Sequence, residues 1–100
     1  MRPVRLHVEA EAEVAVTAEW YDDRQEGLGE LYLAAVREAL TTLQDPEVHP
    51  TVEGLPLGLA RSASVKGFPY RVVFTELGRV LFVIAVPHDR QRPRYWSNRL

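Results

Sequence analysis

The chain has 100 residues, 46% of them hydrophobic, no cysteine and a formal net charge of −2. That length and apolar content specify one domain, residues 1–100, with a single modest core, and exclude a disordered chain or an array of domains. The missing cysteines exclude disulfides and thiolate metal sites.

No apolar run approaches the roughly 18 residues of a membrane span, and the opening MRPVRLHVEAEAEV lacks a signal-peptide core. A soluble cytoplasmic protein that does not meet the membrane is expected. The charge is divided unevenly. Residues 1–50 hold four Arg and eleven acids, a balance of −7, whereas residues 51–100 hold seven Arg, one Lys and three acids, a balance of +5. Only the second half is suited to an anionic partner. Arg supplies every basic residue except Lys66. Its planar fork suits bidentate recognition, while high genomic GC content would enrich Arg codons equally.

In chain order, Val4 to Val8 alternates apolar and polar and predicts a short half-buried strand. The Ala/Glu-rich run from Glu9 to Arg24 predicts a helix. Its stripe holds Val14, Ala15, Ala18 and Tyr21, with Ala10 or Glu11 a turn earlier, and Glu9, Glu11 and Glu13 suit the positive end of its dipole. Gly27 and Gly29 break the chain. Leu28 to Leu43 is amphipathic, with Leu28, Leu31, Tyr32, Ala35, Val36, Ala39, Leu40 and Leu43 recurring at helical spacing until Asp45-Pro46 ends it. The short link predicts an antiparallel helical hairpin.

Residues 46–58, rich in Pro and Gly, read as a loop. Leu59 to Val65 predicts a strand with Arg61, Ala63 and Val65 on one face. Tyr70 to Glu76 and Arg79 to Val86 predict a hairpin turning at Leu77-Gly78. Every position from Val80 to Val86 is apolar, so this strand must be covered on both faces. Helices can cover one; the other falls to the C-terminal tail or to a partner protein. Pro93 to Arg99 predicts a short turn or helix. The fold class is α+β: an N-terminal strand, then a two-helix hairpin on a small, mainly antiparallel sheet, in the order β-α-α-β-β-β.

The tail after His88 holds Arg90, Arg92, Arg94 and Arg99 around Tyr95 and Trp96. Arginine interleaved with aromatics can grip a phosphate, a carboxylate or a base. Arg90, Arg92 and Arg94, at alternate positions of an extended segment, would point the same way.

Three segments, WYDDRQEGLGELYLAAVREAL (Trp20 to Leu40), FPYRVVF (Phe68 to Phe74) and AVPHDRQRPRYW (Ala85 to Trp96), together resemble the RelE/ParE superfamily of toxin–antitoxin toxins. The resemblance covers nearly the whole chain. It implies two helices against a curved antiparallel sheet, and a bacterial type II toxin held by a cognate antitoxin that folds on binding, as a homodimer or a heterotetramer with that antitoxin. It also implies one of two activities. RelE-like members cut mRNA on the ribosome; ParE-like members inhibit DNA gyrase by binding it; an inactive relative that only binds antitoxin is the remaining alternative. The ending His-X-Arg-X-X-Pro-X-Tyr-Trp, from His88 to Trp96, is similar to the ParE-like and plasmid-stabilisation branch. The net acidity and single lysine point the same way, because a ribosome-bound nuclease gains affinity from positive charge.

The nuclease alternative needs a base, an acid and cations about the scissile phosphate. His88, Arg71 and Arg90 are its candidates, with Arg61 a further cation and Tyr95 or Trp96 stacking on a base. As a binding surface for a target or anion, the candidates are Arg61, Arg90, Arg92, Arg94, Tyr95 and Trp96. Each has a purely structural alternative. For His88 it is a strand-end imidazole bonded to backbone, and for Arg71 a salt bridge to Glu76 or a helix acid. Tyr95 and Trp96 could equally close a core. Glu53 and Asp89 show no paired-carboxylate context. No cofactor or metal ligand set is evident.

Overall fold

The computed structural model describes residues 1–56 and 58–100. Its elements are β1 (Val4–Leu6), α1 (Val8–Arg24), α2 (Leu28–Thr41), β2 (Arg61–Ser64), β3 (Arg71–Leu77) and β4 (Val80–Ala85). Single 3₁₀ turns cover Thr42–Gln44, Pro46–Val48 and Ser97–Arg99. The strands form one sheet in the order β1-β4-β3-β2. β2, β3 and β4 run antiparallel, while β1 lies parallel to β4, Val4 opposite Leu81 and Leu6 opposite Val83. The expected α+β order is observed.

β1 is shorter than its alternation suggests. His7 caps α1, its Nδ1 accepting the Glu9 N–H at 3.0 Å, so Val8 opens the helix and stands 73% exposed instead of facing the core. The core-facing stripe of α1 is Ala10 and Ala18, both buried, with Val14 and Tyr21 half-buried; Ala15 is exposed, one position round the helix from it. α1 ends at Arg24, and Gly27, at φ 87°, is the N-cap of α2. That left-handed backbone is one that Gly adopts without a Cβ penalty. Gly29 serves a different need: a Cβ there would lie 2.4 Å from the Ala18 carbonyl oxygen, so the two helices touch at this point. Asp22 Oδ1 accepts the Gly29 N–H at 2.8 Å across the same junction.

α2 buries Gly29, Tyr32, Val36 and Ala39. Leu31 lies off that face and is 61% exposed, and Leu43 enters the core from the 3₁₀ turn that follows the helix. Against the sheet, the hairpin covers Ala63, Val65, Val72, Phe74, Leu81, Val83 and Val86. Fully burying a side chain of the size of Phe74 or Leu81 contributes about 1.5–3 kcal/mol. Tyr21, Tyr32, Phe68 and Tyr70 form an edge-to-face aromatic cluster at the end of this core.

The other sheet face has its own small core: Ala60, Val73, Ile84, Ala85 and Trp96, flanked by Val52, Leu55, Phe82 and Tyr95. The doubly apolar β4 is thus covered by the tail and by the loop before β2. A bulge explains why Ile84 and Ala85, adjacent in sequence, both pack there. Phe74 pairs with Val83 but Val73 pairs with Ala85, leaving Ile84 as the extra residue.

Candidate functional site

The bulge also sets the site. Beyond it, His88 rather than Pro87 lies opposite Tyr70, and the Arg71 N–H reaches the Pro87 carbonyl at 3.1 Å. The imidazole packs edge-on against the Tyr70 ring, centroids 5.0 Å apart. Arg71 follows Tyr70 and, alternating with helix-facing Val72, emerges on the tail face. A cleft of about 350 Å³ opens here. Its lining includes Arg71, His88, Arg92, Arg94 and Trp96, together with Glu53 and Asp89.

Among the described residues, Arg71 meets no carboxylate. Nε donates to Ser62 Oγ at 2.8 Å, Nη1 to Ser64 Oγ at 3.1 Å and Nη2 to the Ser62 carbonyl at 3.2 Å. The expected salt bridge to Glu76 is not formed, because Glu76 pairs with Arg2 across the sheet end. His88 does bond to backbone: Nδ1 accepts the Arg90 N–H at 2.9 Å, which leaves Nε2 to carry the proton of the neutral ring. The turn is closed by Gln91, whose Oε1 accepts the His88 N–H at 2.7 Å.

The three tail arginines do not share a direction, because residues 88–96 turn instead of extending. Arg94 has φ 57°, and its Nη1 donates to the Glu53 carbonyl at 3.3 Å. Its guanidinium lies against Gly54, where a Cβ would come within 2.7 Å of it. Arg92 and Arg94 reach the cleft, whereas Arg90 is exposed outside its lining. Arg61 is also elsewhere, its Nη1 held by the His49 carbonyl at 2.7 Å.

Neither aromatic of the Tyr-Trp pair is available to stack on a base. Trp96 is 3% exposed inside the tail-face core. Tyr95 sits outside the cleft, donating its hydroxyl to Glu13 Oε2 at 2.9 Å beneath the Arg99 guanidinium. Burial raises its phenol above the ordinary value, helped by the Glu13 hydrogen bond and charge.

Glu13 is the residue that sequence reasoning missed. Its position near the start of α1 suggested a dipole-stabilising acid. In the fold, Oε1 accepts the Val86 N–H at 3.1 Å, and Oε2 accepts both Tyr95 and Arg99 Nη2, each at 2.9 Å. Its spacing of four from Glu9, the other acid bound to Arg99, is the one signal the sequence offered. Glu53 and Asp89, which show no paired-carboxylate context in the sequence, both line the cleft.

No family model matches the chain, and no curated protein matches it significantly. A solved structure does. A chain of the chromosomal ParDE TA system from P. aeruginosa superposes with a TM-score of 0.73, covering 88% of this chain and 96% of that one at 13% sequence identity. The chain has the ParE-like fold. The resemblance carried by the Trp20–Leu40, Phe68–Phe74 and Ala85–Trp96 segments is therefore matched in three dimensions over most of the domain. Among the described residues, no helix is long and apolar enough to cross a membrane.

Proposed function

We propose that this protein is the toxin of a type II toxin–antitoxin module, ParE-like in action, which inhibits an essential target by docking on it. DNA gyrase is the target we favour and the cytoplasm the compartment. The fold likeness to a chain of a ParDE TA system supports the module. One observation about the cleft favours docking over catalysis. Arg71, Arg92 and Arg94 share it with Glu53 and Asp89, and both nearby aromatics are engaged elsewhere. A cleft that cradles RNA gains from a uniformly positive lining and free stacking faces. Mixed charge over an apolar floor is what a protein surface meets.

The cognate antitoxin is the second partner. The hairpin carries exposed Val16, Trp20 and Leu31, apolar surface that a folding antitoxin segment would cover.

The nuclease reading keeps one observation in its favour: His88 and Arg71 line one cleft, an imidazole beside a cation lacking a carboxylate partner. The deciding experiment titrates purified protein into a gyrase supercoiling reaction and, separately, into a translation reaction with mRNA integrity followed. Supercoiling is expected to fall while mRNA stays intact. Unaffected supercoiling with cleaved mRNA would replace gyrase by the ribosome and docking by turnover.

A further inference from the structure

We propose that Glu13 is a positioning residue for the cleft, pinning both ends of the segment that forms its wall; this rests on the cleft being the target-docking surface. The segment is 87–94, and it carries His88, Arg92 and Arg94. At one end Val86 donates its N–H to Glu13 Oε1, and at the other Tyr95 donates its hydroxyl to Oε2. Arg99 then closes on the same oxygen. A single carboxylate on α1 thus holds the exit of β4 and the start of the tail together.

The two halves of the segment depend on Glu13 unequally. The first half is also bonded to β3 and its approach, Arg71 N–H to the Pro87 carbonyl at 3.1 Å and Asp89 N–H to the Pro69 carbonyl at 2.8 Å. The second half has less. Beyond Gln91, the Arg94 contact to Glu53 at 3.3 Å is its one side-chain bond to the rest of the fold among the described residues. Trp96 is the next anchor, and it lies between Tyr95 and Arg99, two of the three residues that Glu13 binds.

The pin is strong for a physical reason. The Glu13 and Arg99 side chains keep only 23% and 10% of their exposure, and a shielded, charge-assisted bond is stronger and less screened than a surface one. Its loss does not strand Arg99 entirely, because Glu9 Oε2 stays at 3.2 Å and the Ile84 carbonyl at 3.1 Å. Removing Glu13 is therefore expected to loosen the Arg92–Arg94 wall while leaving His88 and Arg71 in place.

The test uses the full chain with Trp20→Phe, so that Trp96 is the lone tryptophan. Glu13→Ala is expected to raise acrylamide quenching of Trp96 with unchanged far-UV circular dichroism. It should weaken supercoiling inhibition about tenfold, the effect of losing one charge-assisted bond, and as much as Arg92→Ala/Arg94→Ala does. Glu13→Gln, which keeps one acceptor oxygen for Tyr95 and Arg99 but turns an amide N–H toward Val86 and carries no charge, should restore only part of each signal. If Glu13→Ala does not fold, Tyr95→Phe replaces it, with the same direction and a smaller effect. Unchanged Trp96 quenching in a folded variant overturns the pin. Inhibition intact in Glu13→Ala but lost in Arg92→Ala/Arg94→Ala overturns the positioning role. Inhibition intact in both, with Trp96 loosened, upholds the pin and overturns the reading of the cleft as the docking surface.

Discussion

The guanidinium of Arg71 rests on the hydroxyl of Ser62, Nε to Oγ at 2.8 Å, and its charge is answered by neutral oxygens alone. A cation held in place without being neutralised keeps its attraction for an incoming anion. Arg71→Gln should cost about 1 kcal/mol of stability, the net worth of an ordinary hydrogen bond, and weaken target inhibition about tenfold or more. Urea unfolding beside an inhibition titration checks it. A large stability loss with full inhibition would make Arg71 a strut for β2 instead of a contact.

Trp96 is expected to behave as core. Trp96→Ala removes the centre of the tail-face cluster of Ala60, Val73, Ile84 and Ala85 and should destabilise by about 3–5 kcal/mol. A thermal melt decides: a variant as stable as the parent would return Trp96 to the list of ligand-stacking candidates.

Gly29→Ala sets two effects against each other. Alanine favours a helix interior by about 1 kcal/mol, but its methyl would meet the Ala18 carbonyl oxygen at 2.4 Å and Asp22 at 2.8 Å. Backbone cannot yield as a side-chain tip does, so overpacking of about 1–3 kcal/mol wins. Chemical denaturation should show net destabilisation; a more stable variant would mean that the helices separate at little cost.

Alkaline pH should unfold the protein earlier than its composition suggests. Burial above all raises the phenols of Tyr32 and Tyr95 over their ordinary value of 10.0. Groups whose folded pKa is raised contribute stability fully present below pH 10 and lost as the pH climbs through the folded values. Urea midpoints should fall steadily above about pH 10, and Tyr95→Phe should flatten part of that fall. A midpoint independent of pH to 12 would contradict it.

The order of elements was legible because periodicity and turn residues are local signals. The α2 stripe of Tyr32, Val36 and Ala39 and the doubly covered β4 were both visible before the fold. Boundaries failed where a side chain overrode the pattern, as when His7 capped α1 and turned Val8 outward. The site was legible only in part. His88 and Arg71 were found, but their meeting depends on a bulge at Ile84 that no residue type announces. Alternation placed Arg90, Arg92 and Arg94 together because it assumed an extended tail, and the left-handed Arg94 ended that. Glu13 was invisible as a pin because its partners lie more than seventy positions away.

β1 precedes the other strands in the chain, yet it bonds to β4, Val4 opposite Leu81. Until the ribosome has released residues past Ala85, the opening strand has nowhere to pair. Long-range pairing of this kind closes late and slowly. A chain cut short before β4 would therefore lack both the β1–β4 pair and the cleft built beyond it.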